Sequence, residues 1–201
     1  MHSCVVQEAT FNLGQDGAAT WSCQGEGAAL LTSNGFSDAD ATTRGGLNAF
    51  PTEPVSPTTN GGIIAGFTGA VTVGGDTIAV IRTATVRVQT QNMLVKDTFG
   101  SYYPVLTEGG ERTVQTSFSM YDSDDTSTEN IKQASYDKTP VVITYQVGTI
   151  AGNIWTFTLN NVQLATYELN DQQLRFTLDM GESRSYSTDL TSLDELELVI
   201  T

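Results

Sequence analysis

Residues 141–164 read VVITYQVGTIAGNIWTFTLNNVQL, and this stretch decides the fold class. Val141, Ile143, Tyr145 and Val147 are apolar at every second position, with Thr144 and Gln146 between them. A period of two marks a strand with one buried and one wet face. A turn near residues 150–153 follows, and Trp155, Phe157 and Leu159 resume the same period, so the two runs pair back as a hairpin. At Asn160-Asn161 the apolar phase moves to Val162 and Leu164. One extra residue on a strand shifts phase in this way, so a β-bulge is expected there.

Outward from this hairpin the period persists. Toward the C-terminus, Asn170-Asp171 supplies a turn, Leu174, Phe176, Leu178 and Met180 answer on even positions, and Leu196, Leu198 and Ile200 make a last strand. On the N-terminal side, Arg112–Tyr121 alternates Val114, Phe118 and Met120 against Thr113, Gln115, Ser117 and Ser119. Strands are also expected over residues 63–73 and, after the turn Gly74-Gly75-Asp76, over a long run from 77 to about 91. The first hairpin places Val5, Ala9, Phe11 and Leu13 before the turn 14–17, with Ala19, Trp21 and Cys23 after it. Setting Phe11 opposite Trp21 makes one continuous apolar face through Leu13, Ala19, Ala9 and Cys23. Cys4 then points to the other face, so two reduced thiols are expected and not a disulfide.

Two connections are long. Residues 32–62 are rich in Ser, Thr, Asn, Gly and Pro and carry Phe36, Leu47, Phe50 and Val55 without a period. A loop of that length in a domain is commonly functional, and its apolar residues imply that it folds against something, such as another copy of the chain. Residues 92–110 form the second connection, with Tyr102 and Tyr103 read as pinning a loop or filling an interface. One helix is expected over residues 127–135. Asp122, Asp124, Asp125 and Glu129 cap and charge its start, and Ile131 and Ala134 form its buried stripe.

The bulk numbers agree with a mainly β chain. It has 201 residues, 39 % of them hydrophobic, and a formal charge of −14 from 9 Lys+Arg against 23 Asp+Glu. The hydroxyl- and amide-rich remainder suits strands with a wet face and suits helical bundles poorly. With no basic stripe, adhesive binding to nucleic-acid phosphates is disfavoured. No apolar run approaches membrane-spanning length and nothing at the start reads as a signal peptide, so no membrane insertion is expected.

Catalytic constellations are missing from the pattern. His2 is the sole imidazole and lies at the chain end, which excludes Ser–His–Asp and Cys–His arrangements. Gly74-Gly75 joins two strands and precedes no helix, so it is no phosphate loop. The acids around Asp122 lack the glycine and spacing of a calcium loop. No enzyme activity, cofactor or metal is expected. What remains is a chain of many strands whose sheet edges call for a partner.

Three segments resemble one family. Residues 109–124, GGERTVQTSFSMYDSD, are similar to the glycine–x–arginine strand and acidic turn of tail tube proteins of long-tailed phages. Val86-Arg-Val-Gln-Thr-Gln-Asn92 resembles an earlier strand of that family ending near an Asn, and Trp155 to Leu164 resembles its late hairpin. The likeness is strongest from about residue 63 onward. Thr116 departs from it, standing where a small residue, often Gly, is expected. The resemblance implies a single domain over 1–201 made of two packed antiparallel sheets, a β-sandwich or partial barrel, with one short flanking helix and long loops. It implies homo-oligomeric rings, usually of six copies, stacked into a hollow tube with an inner barrel shared between neighbours. It further implies an inter-ring loop at residues 32–62, with Phe36, Leu47, Phe50 and Val55 as its contacts.

Such a subunit belongs to a virion tail assembled in a host cytoplasm. It meets tape measure, tail terminator and baseplate proteins, and lets DNA pass without specific binding. The polar set Thr113, Gln115, Ser117, Ser119, Thr177 and Asp179 is the candidate lumen face; the other reading is that it meets outside solvent. Arg175 interrupts it. Competing assignments are another tail ring component, a secretion-system tube protein and a carbohydrate-binding β-sandwich.

Overall fold

The computed structural model describes residues 2–14, 17–29, 69–95, 99, 106–149, 154–170, 176–188 and 194–201. The chain divides into two units, one drawn from residues 1–8, 23–61 and 90–112 and the other from 9–22, 62–89 and 113–201. In chain order the strands are β1 (His2–Gly14), β2 (Thr20–Ala29), β3 (Ala70–Val73), β4 (Asp76–Thr77), β5 (Ile81–Thr90), β6 (Met93–Val95), β7 (Leu106–Glu108) and β8 (Arg112–Tyr121). Helix α1 (Thr126–Asp137) follows, then β9 (Val141–Val147), β10 (Trp155–Val162), β11 (Tyr167–Asn170), β12 (Thr177–Ser185) and β13 (Leu196–Ile200).

The strands make two main sheets, ordered β11-β12-β8-β5-β1-β2 and β13-β10-β9-β3-β4, plus a ribbon of β6 and β7. Among the described strands neither main sheet closes on itself. The mainly β fold is the one read from the alternation, and the two antiparallel sheets and, among the described residues, one helix are as the resemblance implies.

The core lies in the second unit, where the alternation puts it. Val114, Thr116, Phe118 and Met120 of β8 are buried, as are Ile143, Tyr145 and Val147 of β9 and Phe157 and Leu159 of β10. A fully buried side chain of this size contributes roughly 1.5–3 kcal/mol relative to exposure. Trp155, Phe157 and Leu159 stand opposite Val147, Tyr145 and Ile143, so the hairpin read from the sequence is present. Phe11 reaches the same hairpin, its ring centroid 5.0 Å from Phe157 and 6.5 Å from Trp155.

Thr116 is the polar intruder in this core and is fully satisfied. Its hydroxyl donates to the Thr85 carbonyl at 3.0 Å, and the Tyr145 hydroxyl lies 2.9 Å away. A threonine has one proton to give, so Tyr145 is the donor in that second bond. Burial pushes the Tyr145 phenol above its ordinary value, and the Thr116 hydroxyl partly offsets that rise.

The Asn160-Asn161 bulge is present. The β9–β10 register shifts between Leu159 and Val162, and Asn161 takes φ 46°, a left-handed geometry that Asn tolerates better than most residues. Beyond the bulge the chain changes partner, and Gln163 pairs with Arg184 at the end of β12. Bulges that carry a strand from one sheet to the other are how the corners of such sandwiches are built. Side chains stitch this corner: the Asn160 amide donates to the Asp194 carbonyl at 2.7 Å, and Ser185 Oγ reaches the Asn160 and Glu195 carbonyls.

Helix α1 begins where the acids place it. The Asp125 carboxylate accepts from the Thr128 N–H at 2.7 Å, and Ile131 enters the core with Ala134 packed against it. Lys132 lies 2.7 Å from both Asp122 and Glu129. Partial burial works against its charge, but the two carboxylates more than compensate and hold the ammonium above its usual pKa. The expected acid cluster is thus a capped and ion-paired helix start.

Four expectations change. The long strand expected over 77–91 is broken: β4 stays in the five-stranded sheet, Ile78 is buried, and β5 restarts at Ile81 in the six-stranded sheet. The alternation survives this crossing because both segments feed one core. The connection 92–110 holds the β6–β7 ribbon. Trp21 is 60 % exposed and Cys23 is exposed, so the first hairpin carries no fully buried apolar face; among the described strands β2 is the sheet's edge and has a neighbour on one side only. Phe176 is exposed although Leu178 and Met180 of the same phase are buried, since it precedes the strand they belong to.

Candidate functional site

Two features of the second unit can act on other molecules: an open sheet margin and a polar sheet face. The margin is β13. It pairs with β10 alone among the described strands. Thr201 and Ile154 exchange both backbone bonds, at 2.8 and 2.9 Å, and the Asn160 N–H reaches the Glu195 carbonyl. Bonded pairs alternate along an antiparallel ladder. Glu195, Glu197, Val199 and Thr201 therefore spend their backbone groups on β10, while those of Leu196, Leu198 and Ile200 point away from the sheet. Of the side chains only Glu197 blunts this edge: Leu198 and Ile200 are 39 % and 59 % exposed, and β13 contains no Lys, Arg or Pro. Exposed apolar edge strands template pairing with another chain.

The polar face belongs to the six-stranded sheet. β12 lies beside β8 with Asp179 opposite Ser119 and Thr177 opposite Tyr121. Facing residues in antiparallel strands share a side. The structure thus brings Thr113, Gln115, Ser117 and Ser119 together with Asp179 on one face, half-buried, with Ser119 Oγ donating to the Asp179 carboxylate at 2.5 Å. Thr177 lies on that side by register but is buried. Arg175 and the loop residues Phe36, Leu47, Phe50 and Val55 lie outside the described residues.

Sequence reasoning missed two charged members of this face. β12 shifts register between Met180 and Ser183. The shift turns Ser183 and Ser185 into the core, opposite Thr116 and Val114, and leaves Arg184 opposite Gln115. Glu182 then meets Arg87 of β5, carboxylate to guanidinium at 3.4 Å, and accepts from the Gln115 amide at 3.2 Å. No apolar residue marks this second bulge, so the sequence offers no phase change to read. The guanidinium of Arg184 lies over the Tyr186 ring at 5.4 Å.

The outer side of the five-stranded sheet is also polar. Thr77, Thr72, Thr144, Thr158 and Glu197 stand side by side across β4, β3, β9, β10 and β13.

In the first unit, two of the segments that carry the family resemblance meet. The Asn92 side-chain oxygen accepts from the Gly110 N–H at 3.2 Å, and the Gln91 N–H reaches the Glu111 carbonyl at 3.1 Å. A Cβ on Gly110 would lie 2.5 Å from the Gln91 carbonyl oxygen, so the backbones approach too closely for any other residue. Gln7 adds a bond to the Asn92 carbonyl at 3.2 Å.

Among the described residues no cluster of His, Cys, Asp and Glu could hold a metal, and no helix is long and apolar enough to cross a membrane. No family model and no curated protein matches the sequence. Among solved structures, the chain is similar to one in the tail of an empty gene transfer agent particle with C6 symmetry, at 16 % identity and a TM-score of 0.37, over 63 % of this chain and 85 % of that one. It is also similar to a chain in the virion of a native gene transfer agent particle, at 16 % identity and a TM-score of 0.38, over 64 % and 95 %. At that level of likeness the chain's own margins and faces carry the functional conclusion.

Proposed function

We propose that this chain is a structural, non-enzymatic subunit of a viral tail tube, forming six-membered rings that stack into a conduit for DNA. The observation that carries the reading is the β13 margin, where Leu196, Leu198 and Ile200 direct backbone groups away from β10 with no partner strand among the described residues. A sister copy laid along that edge completes the ladder and covers Leu198 and Ile200. Closing a ring of such contacts removes the open edge of the five-stranded sheet, which is how barrels escape edge-to-edge aggregation. The contact between Asn92 and Gly110 supports the family reading, because it gives a physical reason for two of the residues that carry the resemblance.

The conduit reading adds the polar face. A wall of hydroxyls and amides in a chain of net charge −14 repels a polyanion and offers it few sites to stick. On this reading the six-stranded face with Thr113, Gln115, Ser117, Ser119 and Asp179 lines the lumen. Residues 32–62 make the contact between rings. The partners are tape measure, terminator and baseplate proteins in a virion tail assembled in a host cytoplasm.

Electron microscopy of the purified, concentrated protein tests the reading. Long tubes of uniform width are expected. Single rings that do not stack would reassign the chain to a terminator or baseplate ring, and solitary subunits that bind glycans would reassign it to a carbohydrate-binding sandwich.

A further inference from the structure

We infer that Glu182 masks Arg87 on the polar face of the six-stranded sheet, so that a DNA phosphate passing over Arg87 meets an ion pair in place of a bare guanidinium. The inference rests on the conduit reading and names the residue that keeps this wall from holding its cargo.

Both oxygens of the Glu182 carboxylate are engaged. One lies 3.4 Å from the Arg87 guanidinium on β5, and the other accepts from Gln115 on β8 at 3.2 Å. The carboxylate therefore spans three strands. Its position depends on the β12 bulge. In strict alternation Glu182 would follow Leu178 and Met180 into the core; the register shift between Met180 and Ser183 returns it to the polar side.

Stability does not explain the pair. Its side chains are 34 % and 61 % exposed, and exposed ion pairs contribute little to folding. The electrostatic consequence is larger. Arginine is the side chain best matched to a phosphate, with a planar fork that binds two oxygens at once. An arginine on a wall that DNA must slide along is a brake, multiplied by every copy in every ring. A carboxylate 3.4 Å from one guanidinium nitrogen offsets the Arg87 charge and occupies one of its donors. Asp179, on the same face, adds negative charge. Arg184, the other described arginine there, lies over the Tyr186 ring.

Fluorescence anisotropy with a labelled random-sequence DNA duplex, at low salt, tests this on the purified full chain, free and assembled. Glu182→Gln is expected to bind at least about tenfold more tightly than the unaltered protein, with affinity falling steeply as salt rises. Glu182→Gln combined with Arg87→Gln is expected to return to the starting level. Glu182→Ala, which leaves no amide, is the second variant and is expected to behave as Glu182→Gln. Folded carboxylate-free variants that bind no better than the unaltered chain would overturn the masking role. Micrographs of the same samples separate the two ideas: tubes without a gain in binding defeat masking alone, and a gain in binding without rings or tubes defeats the conduit alone.

Discussion

Tyr145 and Thr116 form a polar bond inside an apolar core, and the two partners are not equivalent. Thr116 keeps the Thr85 carbonyl as an acceptor if Tyr145 is lost, whereas Tyr145 donates to Thr116. Thr116→Val should therefore cost about 1–3 kcal/mol in chemical denaturation, the penalty of orphaning a buried hydroxyl. Tyr145→Phe should cost less, and the double variant should lie closer to the unaltered protein than Thr116→Val alone. Asp125 allows a second residue-scale prediction. The Thr128 N–H, with further help from Ser123, holds its carboxyl below the ordinary 3.8. Asp125→Ala should lower the thermal midpoint at neutral pH, and Asp125→Asn should retain most of the cap. Because the folded pKa is the depressed one, the carboxylate's contribution is present above 3.8 and fades as pH falls through the lower folded value. The gap between Asp125→Ala and the unaltered protein should narrow there.

At the element scale, the two bulges show what a sequence discloses. The one at Asn160-Asn161 was legible because strong apolar residues stand on both sides of it and change phase. The one in β12 was not, because the residues it turns inward are Ser183 and Ser185, buried but polar. The break between β4 and β5 was hidden for a related reason: both segments supply one core, so the period of two runs through a change of sheet. Helix α1 was legible from its capping acids. Asn161, at φ 46°, sets a test of the first bulge. Asn161→Val should cost roughly 1–2 kcal/mol, the steric penalty of a left-handed backbone for an L-residue, and Asn161→Gly should recover most of it. The β13 edge offers a sharper one. Leu198 directs its N–H away from β10, so Leu198→Pro removes no ladder bond and should leave a folded subunit that fails to assemble. Val199→Pro removes a bond to β10 and should destabilise the subunit itself. Circular dichroism and electron microscopy on the pair separate the two effects.

At the scale of the whole molecule, we propose that sister copies complete the margins on which the two open sheets end. The net charge of −14 does not prevent this, because the β13 margin presents aliphatic side chains and backbone dipoles beside a single carboxylate, Glu197, and salt screens charge over about 10 Å at 0.1 M. Sedimentation velocity of the purified chain at rising concentration tests the claim most directly. The 21.5 kDa subunit is expected to give way to rings and then to far larger stacked species, with Leu198→Pro remaining at the size of one subunit. A single subunit-sized species for the unaltered chain at every concentration would contradict it.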